Sequence, residues 1–188
     1  MSKLAILSIL SVLFTIAVSD QILIASWKAI FPYADQAKLK TLTTNVNKAA
    51  AQPAALKVVN NWVPKNWKSA TAKPDAKNPL SKQAFAKKTA VAFVKHRYSV
   101  MKYEKYLYNQ SIKDKLFTKA EADDLKKIFW AADTANKNNY TATANSFNQQ
   151  AYAKFHGTHP NFVTKLQAYT QAFAQANPAD YANLQWKI

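Results

Sequence analysis

The residues that could do chemistry in this chain are few, and their spacing argues against most reactions. His156 and His159 are three apart, a spacing that metals can use. Gly157 and Pro160 interrupt the helix that would align them, and no carboxylate lies close in sequence. The chain has no cysteine, which removes thiol catalysis and thiolate metal sites. Gly157 is its single glycine, so neither a Gly-x-Ser-x-Gly elbow nor a phosphate-cradling loop can be built. Glycoside hydrolysis needs two opposed carboxylates, and no pattern pairs Glu104 or Glu121 with a second acid. The expectation is a protein with no catalytic residue, cofactor or metal, one that acts by binding.

What remains is charge. Lysine and arginine total 26 against 10 acids, a net charge of +16. Lys88, Lys95 and Lys102 recur every seven residues and form a narrow basic stripe, with Lys87 and Lys105 nearby on another face. Such a surface draws anionic partners over long range. Arg97 is the only arginine, so bidentate recognition is scarce and lysines act as diffuse point charges. The bland reading of any one lysine is a solvated helix face. Trp130 points away from the apolar stripe of its helix, and Trp62 and Trp67 flank a proline-containing loop, so the three are read as an exposed hydrophobic patch for a receptor or dimer contact, against the alternative that each packs into the edge of the core. Arg97 and Glu104 fall inside the apolar arc of their helix and are expected to be paired structural charges, because unpaired buried charge is costly. Asn109-Gln110-Ser111 and Asn139-Tyr140-Thr141 are glycosylation sequons, the second the better placed, in a loop between helices.

The elements that position these residues read as helices throughout. A chain of 188 residues with 49% hydrophobic content and one glycine has the material for one all-α domain and lacks the turn glycines of β folds. The first 19 residues read as a secretory signal: Lys3, an apolar run from Leu4 to Val18, and small residues at Ala17 and Ser19. Removing it leaves a domain over 20–188 with 25 basic and 10 acidic residues, +15. Secretion demotes nucleic acid as a partner. After an apolar segment from Ile22 to Phe31, a helical pattern runs from Asp35 to Val63, kinked or divided by Pro53. Residues 64–79 read as a loop. A helix from Ser81 to Ser111, apolar nearly all round, reads as the centre of a bundle. Thr118 and Glu121 form a capping box for the next helix, with Leu125, Ile128, Phe129, Ala132 and Ala135 as its core face. A further helix spans Thr143 to His156, ended by Gly157, and a last one starts at Pro160, buries Phe162, Leu166, Tyr169 and Phe173, and ends at Pro178.

Phe93-Val94-x-x-Arg97-Tyr98, with Tyr106 eight residues after Tyr98, resembles the central helix of the gastropod (abalone-type) sperm egg lysins. Trp62, a loop, then Leu80-Ser81 and Lys88 resemble its lead-in. Ser26-Trp27 with Pro32 resembles the family's mature N-terminus, and Pro178-Ala179-Asp180 a short element near its end. The resemblance implies a compact bundle of about five helices around one long central helix. It implies acrosomal storage and secretion, homodimers, and non-enzymatic loosening of the vitelline envelope by binding an anionic egg-envelope glycoprotein. A paralogous branch implies the alternative, a fusogenic protein acting on an anionic membrane; a secreted cationic lipid-binding or antimicrobial protein is the third reading. The chain departs from the family in its near-exclusive use of lysine, an inserted-looking stretch at 68–78, an extra apolar stretch from Asp20 to Ala25, and His96 where a basic pair is expected.

Overall fold

A computed structural model describes residues 22–67, 82–136 and 139–185. The signal peptide read over 1–19 and the stretch at 68–78 lie outside them. Among the described residues the chain is all-helical, with eight helices: α1 Ile24–Ile30, α2 Gln36–Asn47, α3 Gln52–Asn66, α4 Lys82–Lys113, α5 Lys119–Ala135, α6 Tyr140–Phe155, α7 Phe162–Ala176 and α8 Pro178–Leu184.

Local chemistry sets the boundaries. The Asp35 carboxylate accepts from the amides of Ala37 and Lys38 and opens α2. Pro53 stands in the first turn of α3, where its missing amide costs nothing, so it divides two helices and does not kink one. Pro64, read as the start of a loop, lies inside α3 instead. The burial of Val59 and Val63 holds that last turn against the bond which Pro64 cannot make. Thr118 and Glu121 form the capping box of α5 in both directions. Gly157 follows α6 in a turn without a left-handed backbone, and a Cβ there would meet nothing.

The 32-residue α4 is the shared strut. It packs on α1, α3, α5, α7 and α8, while α2 leans on α1 and α3, and α6 on α5. The apolar interior divides into two clusters along α4. The first gathers Trp27, Phe31, Leu39, Val59 and Phe93 from α1 to the first half of α4. The second gathers Leu107, Phe129, Trp130, Phe155 and Phe173 from the second half of α4 onward. Trp27 stands edge-on to Phe93 at 5.0 Å, and Tyr103 edge-on to Phe173 at 5.2 Å.

Polar contacts tie the C-terminal helices to α4. Tyr103 donates its hydroxyl to Thr170 Oγ1 at 2.6 Å, because the Thr170 proton is already given to the Leu166 carbonyl. Burial on α4 raises the Tyr103 phenol above its ordinary value. α8 docks through His96 Nδ1–H to the Asn183 carbonyl at 2.9 Å and Ser99 Oγ–H to Asp180 at 2.8 Å. The helix α8 has no counterpart in the sequence pattern: Pro178, the expected stop, is also the first residue of a new helix with Asp180 in its first turn.

Candidate functional site

The basic residues fall into two populations that follow the two cores. Over 22–67 and 82–95 the chain carries Lys28, Lys38, Lys40, Lys48, Lys57, Lys65, Lys82, Lys87, Lys88 and Lys95, against Asp35 as the one acid. All ten lysines are exposed, and none forms an ion pair among the described residues. Over the described residues from 96 onward, ten basic residues meet seven acids. There six of the ten basic residues form ion pairs, among them Lys154 with Asp124 at 2.6 Å, Lys119 with Asp123 at 3.0 Å and Lys127 with Asp124 at 3.1 Å. The half built on the first core is therefore a concentrated cationic surface, and the half built on the second is near balance.

The predicted stripe runs across this divide. Lys87, Lys88, Lys95, Lys102 and Lys105 are all exposed on α4. Lys87, Lys88 and Lys95 belong to the cationic half. Lys102 bonds Asp180 at 2.6 Å and so faces an acid of α8. Burial pushes the Asp180 carboxyl up, but the bonds from Lys102 and Ser99 outweigh it and leave the group below its usual range.

The aromatic reading needs correction. Trp130 is 1% exposed and belongs to the second cluster. Its ring stands edge-on to Phe129 at 5.1 Å and lies under the Arg97 guanidinium at 4.6 Å. α5 is sandwiched between α4 and α6, so the face opposite its main apolar stripe is covered too. Trp62 and Trp67 are half-buried against the first cluster, Trp62 with its ring 5.2 Å from Phe31. Trp62 and Trp67 thus belong to the first core and Trp130 to the second, and the three form no common exposed patch. The exposed large hydrophobics among the described residues are Tyr33, Tyr152 and Val163.

Arg97 and Glu104 meet the expectation of pairing. Arg97 bonds the Asp133 carboxylate with both side chains buried, and Thr143 donates to the other Asp133 oxygen at 3.2 Å. Glu104, 8% exposed, has the Lys126 ammonium at 4.0 Å. The two histidines of the metal question diverge. His156 stacks on Tyr152 at 4.3 Å, and His159 donates from Nε2 to Glu121 at 2.9 Å. Sequence distance hid that carboxylate, 38 residues away. Bonds from His159 and Thr118 pull the Glu121 carboxyl down to about 2. Among the described residues no three His, Asp or Glu come together to hold a metal ion. Asn139 is the exposed N-cap of α6 and uses Oδ1 for the cap, whereas a sugar would join Nδ2. Asn109 is exposed on α4, but Ser111 of its sequon is buried and donates to Leu107.

Two depressions mark the balanced half. A cleft of about 630 Å³ lies between α6 and α7, floored by Tyr103, Leu107, Phe129 and Phe147, with Tyr152 and Val163 in its lining and no charged residue. A groove of about 550 Å³ runs between α4 and α5, lined by Tyr98, Met101, Lys102, Glu104, Lys105, Tyr108, Asn109, Lys126 and Trp130. Lys102, Lys105 and Asn109 of the sequence reading thus share one groove. No helix among the described residues is long and apolar enough to cross a membrane. The chain matches no protein-family model, no curated protein and no solved structure.

Proposed function

We propose that this chain is a secreted, non-enzymatic sperm protein that binds an anionic egg-envelope glycoprotein and loosens the envelope fibres. In this reading the fold is the lysin-type bundle around α4, with α1 and α8 as short additions. The observation that carries it is the cationic half: ten exposed lysines against one aspartate. Like charges held together repel, and an anionic partner offsets that cost. Lysines on a rigid helical frame attract such a partner at long range, and contacts made after docking compete with those that hold fibre to fibre. No bond is cleaved, in keeping with a sequence that offers no nucleophile elbow, thiol or phosphate loop.

The test is association with isolated egg envelopes at increasing salt. Lys57, Lys65 and Lys88 are changed to Gln together, and Lys113, Lys115 and Lys165 are changed in a second variant of equal net charge. The first variant should associate more slowly and lose much of the salt dependence; the second should behave as wild type. Equal effects in the two variants would reduce the cationic half to bulk charge. Rapid leakage of anionic liposomes with no action on envelopes would move the assignment to the fusogenic alternative.

A further inference from the structure

The groove between α4 and α5 brings aromatic, acidic, amide and basic side chains together. Its α4 wall extends from Tyr98 to Asn109, about 16 Å at the helical rise. Aromatic rings, a carboxylate, an amide and ammonium groups face the same space. Lys105 is exposed and has no ion-pair partner among the described residues. Lys126 is oriented by Glu104 at 4.0 Å, and Tyr108 by its bond to Asp123 at 2.7 Å. Trp130 contributes to the lining, and its indole N–H finds no acceptor among the described residues.

We propose that this groove is a binding site for a short acidic saccharide, one bearing a carboxylate or a sulfate. This deepens the reading of an anionic glycoprotein partner and rests on it: the cationic half attracts, and the groove discriminates. A sugar presents C–H faces that pack on rings such as Tyr98 and Tyr108. Its hydroxyls both donate and accept, which suits Glu104 as acceptor and Asn109 as either. Its acidic group meets the Lys105 ammonium in a charge-assisted bond. Other anions fit less well. An acidic peptide brings repeated carboxylates against Glu104. A nucleotide calls for a bidentate arginine or a helix N-terminus, and the one arginine is buried on Asp133.

The experiment is calorimetric titration of the purified chain with three oligosaccharides on one backbone: carboxylated, sulfated and neutral. An oligoglutamate peptide is the fourth probe. Lys105→Gln is compared with Lys113→Gln, which removes a likewise exposed charge, without an ion pair among the described residues, from the same helix outside both the groove and the cationic half. At least one acidic saccharide should bind, and whichever binds tighter identifies the acidic group. Lys105→Gln should weaken that binding about five-fold or more, and Lys113→Gln less than two-fold. Equal losses in the two variants, neutral saccharide binding as tightly as acidic, or the peptide binding as tightly as the saccharides would each overturn the proposal. Saccharide discrimination without envelope loosening would keep the groove and remove the egg-coat function; loosening without discrimination would do the reverse.

Discussion

Asp133 anchors a buried polar cluster. It receives the Arg97 guanidinium, which lies over Trp130, and the Thr143 hydroxyl. Removing one partner of a buried ion pair leaves the other charged and desolvated, so Asp133→Ala should cost roughly 3–5 kcal/mol, read as a lower urea midpoint. His96 makes a second prediction. Burial lowers its pKa from 6.5, against the bond to Asn183 that raises it. The unfolded chain takes up the proton that the folded chain refuses, so this group's contribution is complete above pH 6.5 and declines as pH falls below it. His96→Gln should flatten stability over that window in thermal melts. Glu121 acts further down: its folded pKa of about 2 lies below 4.5, so its stabilisation is present above 4.5 and is lost as pH falls toward 2. Side chains of this kind were half legible. An arginine and a glutamate inside an apolar arc announced buried pairing, and it is there. Trp130 was misread because a helical projection shows one apolar stripe and cannot show a second neighbour across the helix.

At the scale of elements, the local signals with a defined hydrogen-bond partner were the readable ones. Thr118 and Glu121 are three residues apart and need nothing distant to form their box, so the start of α5 was legible. Thr118→Ala should cost about 1 kcal/mol, measured in the same denaturation assay. Pro53 likewise marked a boundary that the structure contains. Elements fixed by distant contacts were less legible. α8 has seven residues and little intrinsic stability. It exists by docking His96, Ser99 and Lys102 of α4 onto Asn183 and Asp180, and sequence periodicity carries no record of such a docking. The burial of Tyr103 likewise depends on a distant contact, since α7 covers that side of α4 and takes its hydroxyl.

At the scale of the molecule, the arrangement that matters is the separation of charge along α4. Total basicity was plain from composition, and the seven-residue lysine spacing located a stripe. That the stripe crosses from an unpaired half into a paired one depends on where Asp180 returns to α4, which only the fold supplies. The lysines are therefore not equivalent. Lys88→Gln and Lys95→Gln should each slow association with an anionic partner and reduce its salt dependence. Lys102→Gln should leave association nearly unchanged and loosen α8, seen as faster amide exchange in residues 178–184.

Action by occupancy, as proposed, separates from turnover in a dose titration of isolated egg envelopes. Increasing amounts of the purified chain are added to a fixed mass of envelope, and dissolved material is followed to completion and sized. The dissolved mass should rise in proportion to protein added and stop when the protein is consumed, with envelope glycoproteins released at full length. Continued dissolution at a small fixed dose, with peptides or sugars accumulating over time, would contradict it.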